Sequence, residues 1–342
     1  MQNTESGESD YSLLRTMWGS SIGGNSNREE PRYDAKLMTP NILHSILHLR
    51  FVDLTTIYIY VMEGIADLGK PLEFSILETK TVLITGGVSG LGALMVTQFA
   101  KYGAKVTAAD INEQLGKAFV QELSEKGLHI NFVHTDVTDW TSQIHAFKSA
   151  IAFGQRNSID VVVAAAGVSG GRFVVDMESP SLEKDPPLPS ASDLAFDVNA
   201  KGVYFTCKLA QYYFSLPVAS EDVKPLPYRK SLVVISSLAG YLEVNNTDYT
   251  ASKWAVRGMF RAERSGMEDN GHRINLIAPW VMDTPMAKSV AELCRSKGFP
   301  VGDANHVADA VVRCAADESI CGKGISFTMS PIFAHRACQG EL

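Results

Sequence analysis

Thr81-Val82-Leu83-Ile84-Thr85-Gly86-Gly87-Val88-Ser89-Gly90-Leu91-Gly92 is the stretch that decides the fold. It opens on a short apolar, β-prone run, and Ala93-Leu94-Met95-Val96-Thr97-Gln98-Phe99-Ala100 after it reads as a helix. Strand, glycine turn and helix in that order form a dinucleotide-binding unit. Gly86 permits the tight turn, Gly90 lets the backbone approach a pyrophosphate, and Gly92 lets helix and strand pack closely. Ser89 and Leu91 fill out the same phosphate loop. The helix N-terminus adds unpaired N–H groups and a partial positive charge.

Outward from this unit, Lys105-Val106-Thr107-Ala108-Ala109 is the next apolar segment, and Asp110 closes it. A carboxylate there is placed to grip a ribose 2′-hydroxyl and would repel a 2′-phosphate, which favours NAD over NADP. Ser89 stands where a cation could hold the extra phosphate, and Ile111-Asn112, not an arginine, follows Asp110. Asn112 is able to cap the helix beginning near Glu113 by itself.

The chain has 342 residues, 45% of them hydrophobic and 20% charged, which suits one large α/β domain with extensions. A net charge of −7 and the lack of any basic run argue against a nucleic-acid surface. The five cysteines form no CxxC pair, which suggests a reducing compartment and neither zinc nor a disulfide frame. Residues 1–40 read as a disordered tail and 41–78 as an N-terminal extension without an assigned role. Arg50 and Asp53 interrupt the apolar Ile42–Met62 segment, so it reads as an amphipathic flap, not an integral membrane span. No secretory leader pattern is evident, and a cytoplasmic location is expected.

Apolar runs at 81–85, 105–109, 130–134, 160–164, 231–236, 273–278 and 324–329 alternate with helical patterns. This is the pattern of a doubly wound parallel sheet with helices on both faces. The helices expected are Gln114–Lys126, one with Trp140, Ile144, Phe147 and Ile151 on an apolar face, Asp193–Phe214 and Tyr249–Met267. Asp136-Val137 follows the third strand, where an adenine ring would lie, and small residues lead into Ala166-Gly167 after the fourth. Tyr249 and Lys253 lie at i and i+4 of one helix, on one face. Ser236-Ser237 ends the fifth strand twelve residues before Tyr249, so a hydroxyl and a phenol would converge where open α/β sheets carry their active sites.

With these residues in this order, together with Asn199 and Pro279 through Thr284, the chain resembles the short-chain dehydrogenases/reductases over roughly residues 79–330. Within the family its texture is similar to fungal secondary-metabolite alcohol dehydrogenases and hydroxyprostaglandin dehydrogenases. The resemblance implies a single Rossmann domain with a seven-stranded parallel sheet in order 3-2-1-4-5-6-7, a substrate lid near 285–300 and a C-terminal tail at 331–342. Met286 to Phe299, after Thr284, itself reads as a substrate lid, and with the Phe173–Met177 region it suggests an apolar or aromatic substrate. The resemblance also implies a catalytic tetrad of Asn199, Ser237, Tyr249 and Lys253, with Asn199 keeping a proton-relay water. It also implies cofactor contacts from Pro279, Met282 and Thr284, and a homodimer or homotetramer built on the two long helices. The expected reaction interconverts a secondary alcohol and a ketone on an apolar or aromatic small molecule, with no metal. Two departures from the family pattern stand out: Trp280 replaces a glycine, and Ala164 and Ala165 replace asparagines. A catalytically silent nucleotide-binding scaffold, its pocket blocked by Trp280, is the alternative reading.

Overall fold

Short runs dominated by Val, Ile, Leu and Ala form the sheet. The computed structural model describes residues 58–61, 73–155, 157–170, 195–216, 228–242, 247–298 and 300–328. Its strands are β1 (Tyr58–Val61), β2 (Thr81–Thr85), β3 (Lys105–Asp110), β4 (Ile130–His134), β5 (Val161–Ala164), β6 (Ser231–Ile235), β7 (Arg273–Pro279) and β8 (Gly324–Thr328). Every residue of β2, β5, β6 and β7 is buried, as expected of strands covered on both faces.

The order is β1-β8-β7-β6-β5-β2-β3-β4, and β2 through β8 are parallel to one another. Counted from β2, this is the expected seven-stranded order. The eighth strand was not expected. Tyr58–Val61 runs antiparallel along β8, with Tyr58 opposite Thr328 and Val61 opposite Ile325. The rest of the proposed tail and extension before Phe74 lies almost wholly outside the described residues.

Seven α-helices are described: α1 (Gly90–Lys101), α2 (Glu113–Glu125), α3 (Trp140–Gly154), α4 (Val203–Phe214), α5 (Thr247–Asp269), α6 (Lys288–Ser296) and α7 (Ala304–Ala316). Alternation along the strands splits the core in two. Val82 and Ile84 of β2 face Met95 and Phe99 of α1 and Val307 and Val311 of α7. Leu83 faces the opposite layer, with Phe147 of α3, Leu209 of α4 and Phe260 of α5. Asn112 caps α2 through the Leu115 N–H, and Asp303 caps α7 through the Asn305 N–H. Fully buried Arg273 closes the other end of α7, donating to the carbonyls of Cys314, Ala315, Asp317 and Ile320. A cation there meets orphan carbonyls and the negative end of the helix dipole.

Two helix expectations need correction. The Asp193–Phe214 helix is not uniform: Asp197–Gly202 is a π-helical turn that leads into α4. Trp140 is 41% exposed, not core, and meets Phe205 edge to face at 5.2 Å. As the first residue of α3, it precedes the turn that presses onto the sheet.

Candidate active site

The chain passes from β2 outward to β3 and β4, then returns to place β5 on the other side of β2. Beyond the carboxyl ends of β2 and β5 this reversal opens a crevice, the usual ligand site of open α/β sheets. The cleft found there has a volume of about 390 Å³ and runs from the glycine loop to Met286.

Glycines shape its floor. Gly86 has φ +67°, and a Cβ there would stand 2.7 Å from the Ala166 Cα of the β5 exit. A Cβ on Gly92 would collide with the Gly86 carbonyl oxygen, so α1 packs directly on the turn. Gly90, at φ +50°, has only the Thr284 and Pro285 side chains within 4 Å of a Cβ position, leaving its backbone open to the cleft. Ser89 is the N-cap of α1 but makes no side-chain capping bond, and Ser89, Leu91 and Gly92 line the cleft. The β5 exit lacks the family's asparagines, and there the Thr85 hydroxyl accepts from the backbone N–H groups of Ala165 (3.2 Å) and Ala166 (3.3 Å).

Asp110 ends β3 at the cleft wall. Its Oδ2 accepts from the Val88 N–H (3.3 Å) and its Oδ1 from the Asn112 N–H (3.0 Å), so the carboxylate is tied to the glycine turn. Asp136 and Val137 line the same end, with Asp136 Oδ1 held by Thr138. Lys253 is the only cation lining the cleft among the described residues.

The proposed proton-transfer groups converge at the other end. Ser237 ends the β6 exit, Pro279 the β7 exit, and Tyr249 and Lys253 come from the first turns of α5. The Ser237 hydroxyl donates to the Pro279 carbonyl at 3.4 Å and accepts from the Ala239 N–H at 3.1 Å, and both Ser237 and Tyr249 line the cleft. Lys253 Nζ donates to the Ile235 carbonyl at 3.1 Å and lies 5.5 Å from the Tyr249 ring centre. Burial pushes the Tyr249 phenol up from its ordinary pKa, against a downward pull from the Ser237 side chain. Burial also pushes the Lys253 ammonium down to about 8.

Asn199 is fully buried in the π-helical turn, and its amide is fully engaged. Oδ1 accepts from the Val168 N–H at 2.8 Å, while Nδ2 donates to the Val168 carbonyl (2.9 Å) and to Ser252 Oγ (3.1 Å). Ser252 Oγ in turn donates to the Tyr249 carbonyl at 2.7 Å. With both amide hydrogens taken, a relay water at Asn199 would have to meet its oxygen atoms. Gly167 is where a Cβ would come 3.3 Å from Asn199 Oδ1 and 3.6 Å from Lys253 Nζ.

Pro279, Met282 and Thr284 all line the cleft. Met282 is only 3% exposed and belongs to the core as well. The Thr284 hydroxyl accepts from the Ala287 N–H at 3.4 Å, at the start of the short turn Pro285–Ala287 before α6. The lid expected near 285–300 would comprise this turn and α6; Met286, 54% exposed, lines the cleft, and Phe299 lies outside the described residues. The 173–177 region, whose residues suggest an apolar or aromatic substrate, also lies outside them. Trp280 forms a wall and packs against both core layers. Its indole N–H is buried without a hydrogen-bond partner among the described residues.

Sequence reasoning missed Ile111, Thr135, Val168 and Val198, all of which line the cleft. Ile111 had a usable signal, an apolar residue directly after Asp110, and it is 63% exposed at the cleft edge. Among the described residues no cluster of three metal-ligating side chains occurs, and no helix is long and apolar enough to cross a membrane.

A glycine-floored crevice at the sheet reversal, with a phenol, a hydroxyl and an ammonium at one end, is the architecture of a dehydrogenase site. The short chain dehydrogenase family model matches residues 80–294, and the chain belongs to that family. It is 35% identical to 5'-hydroxyaverantin dehydrogenase of Dothistroma septosporum over 76% of this chain and 87% of that protein. Identity to 5'-hydroxyaverantin dehydrogenase stcG of Emericella nidulans is also 35%, over 73% of this chain and 84% of that protein. The solved structure of 3-hydroxyacyl-CoA dehydrogenase type-2 from Mycobacterium avium superposes with TM-score 0.60 at 26% identity, over 72% of this chain and 94% of that one. The chain is therefore an alcohol oxidoreductase with a Rossmann fold.

Proposed function

We propose that this protein is an NAD-dependent dehydrogenase that interconverts a secondary alcohol and a ketone on an apolar or aromatic small molecule, with Tyr249 as the acid/base. The observation that carries the reading is the convergence of Ser237, Tyr249 and Lys253 on one end of a glycine-floored cleft, with Lys253 Nζ 5.5 Å from the Tyr249 ring centre. The fungal relatives, named for a hydroxyl-bearing substrate, support the substrate class.

The cleft suits a dinucleotide. The Gly86–Gly92 turn and the α1 N-terminus would hold the pyrophosphate, and Asp110 the adenosine ribose. Asp136, Val137, Ala166 and Gly167 would flank the adenosine and central parts, and Pro279, Met282 and Thr284 the nicotinamide. Two carboxylates and, among the described residues, no cation at the Asp110 end favour an unphosphorylated ribose. When bound, the nicotinamide supplies the hydride acceptor and, in its oxidised form, a positive charge.

Tyr249 takes the proton from the substrate hydroxyl during oxidation and returns it during reduction. Ser237 hydrogen-bonds the reacting oxygen and orients it. Acting as a base near neutral pH requires a phenol pKa about three units below its usual ~10, roughly 4 kcal/mol. A unit charge at the Lys253 position, 5.5 Å from the ring centre, gives about 3 kcal/mol at an effective dielectric of about 20. Burial opposes this, so Lys253 alone does not suffice and a second positive charge in the cleft is required. Lys253 also holds ribose hydroxyls, and the Asn199 turn fixes the helix that carries both residues. Trp280 stands as a wall and leaves the cleft open, which favours an enzyme over a silent scaffold.

The two long helices α4 and α5 are proposed to pair with a second copy, and a cytoplasmic location fits this reading. The test is to incubate the full chain with NAD and a panel of alkyl and aryl secondary alcohols, following NADH at 340 nm. Absorbance should rise with aryl or apolar alcohols. NADH binding without turnover of any alcohol or ketone would support the scaffold instead.

A further inference from the structure

We propose that Gln143 is a positioning residue for the reaction, joining the Asp136–Val137 wall of the cleft to the π-helical turn that carries Asn199. The proposal rests on the reading of Tyr249 as the acid/base. Gln143 sits on α3 with 1% of its surface exposed, on the same helix as buried Ala146, Phe147 and Ala150. A buried amide is costly unless each polar atom is paired.

Here each one is paired, and the partners belong to two separate segments. Nε2 donates to the Val137 carbonyl at 2.7 Å and to the Gly202 carbonyl at 2.9 Å. Oε1 accepts from the Thr206 hydroxyl at 2.8 Å, and that hydroxyl also lies 2.9 Å from the Gly202 carbonyl. The two segments are pressed together as well: a Cβ on Gly202 would stand 2.9 Å from Val137 Cγ2 and 3.2 Å from the Val137 carbonyl oxygen.

What this junction holds decides its role. Val137 lines the cleft and follows Asp136. Gly202 closes the Asp197–Gly202 turn, whose wider i→i+5 winding is a feature frequent at functional sites. Three residues earlier in that turn, Asn199 clamps Val168 and Ser252, and Ser252 clamps the Tyr249 carbonyl. A continuous buried path therefore runs from Val137 through Gln143, Gly202, Asn199 and Ser252 to Tyr249. Gln143 touches neither the proposed cofactor nor the substrate; it sets the spacing between the wall that receives one end of the dinucleotide and the helix that presents the phenol.

The test uses the full chain with Gln143→Leu, which keeps the bulk and removes all three bonds, and with Gln143→Glu. NADH affinity is measured by fluorescence titration, kcat against pH with the best alcohol of the panel, and the melting midpoint by circular dichroism. Gln143→Leu should weaken NADH binding and lower kcat by about tenfold or more each, at a temperature where the variant is folded, since small misplacements near reacting groups carry penalties of that order. If Gln143→Leu does not fold, Gln143→Glu decides. Its protonated carboxyl reproduces one donor and the acceptor, so NADH affinity should approach wild type at low pH and fall as the buried acid ionises. A lowered melting midpoint with NADH affinity, kcat and pH profile all unchanged would overturn the proposal. Full turnover in Tyr249→Phe would instead defeat the underlying reading, while the NADH titration would still decide whether Gln143 holds the cleft wall.

Discussion

Lys253 Nζ stands 5.5 Å from the ring centre of Tyr249, one turn along α5, and donates to the Ile235 carbonyl. Among the described residues no carboxylate is paired with this buried ammonium, so it costs stability in the free protein while supplying charge to the site.

That cost gives a pH prediction. Burial lowers the Lys253 pKa from 10.5 to about 8 in the folded protein. Between those values the unfolded chain binds more protons than the folded one, so this group's contribution to stability rises with pH from about 8 to about 10.5. Below about 8 its full penalty applies, on the order of 3 kcal/mol. Lys253→Met should therefore be more stable than wild type at pH 7, with the difference shrinking towards pH 10, and should lose activity. Urea melts at the two pH values check this; a variant less stable than wild type at pH 7 would contradict it.

Asp110 predicts cofactor choice. Wild type should bind NADH at least about tenfold more tightly than NADPH, and Asp110→Ala should narrow the gap by removing the charge that repels a 2′-phosphate. Fluorescence titration with both cofactors measures it. Tighter NADPH binding by wild type would show that the carboxylate serves only to tie Val88 and Asn112.

Gly92→Ala tests the floor of the cleft. The new Cβ would meet the Gly86 carbonyl oxygen, a backbone atom that cannot swing away, so the turn must open. Overpacking of this kind costs about 1–3 kcal/mol, and NADH affinity should fall with it. Unchanged affinity would mean that the turn is not the phosphate site.

Arg273→Met tests the base of the molecule, far from the chemistry. The guanidinium satisfies four carbonyls at the end of α7, and each buried carbonyl left unpaired costs about 1–3 kcal/mol. Loss of several kcal/mol should lower Tm by about 10 °C at this chain size. Because β7 carries Pro279 at its other end, NADH affinity below Tm should change little.

Much of this was legible in the sequence. The strands from β2 to β8 read clearly because each is a short apolar run bounded by turns, and the glycine spacing located the crevice. The edge strand Tyr58–Val61 was not legible: its partner Thr328 lies at the far end of the chain, and no local pattern reports such a pairing. The break at Asp197–Gly202 was hidden because a π-helical turn has no distinctive composition. Gln143 carries no signal in the sequence, since its role comes from two carbonyls that only the fold brings together. Ser252, between Tyr249 and Lys253, has no sequence signal either, although it links Asn199 to the Tyr249 backbone.

The most direct measurement is Tyr249→Phe, which removes one oxygen and leaves the ring, α5 and the glycine floor in place. Turnover of the best secondary alcohol should fall by at least about a thousandfold, within the range spanned by proton transfer and orientation together, while NADH binds as it does to wild type. Turnover within a few-fold of wild type would contradict the account.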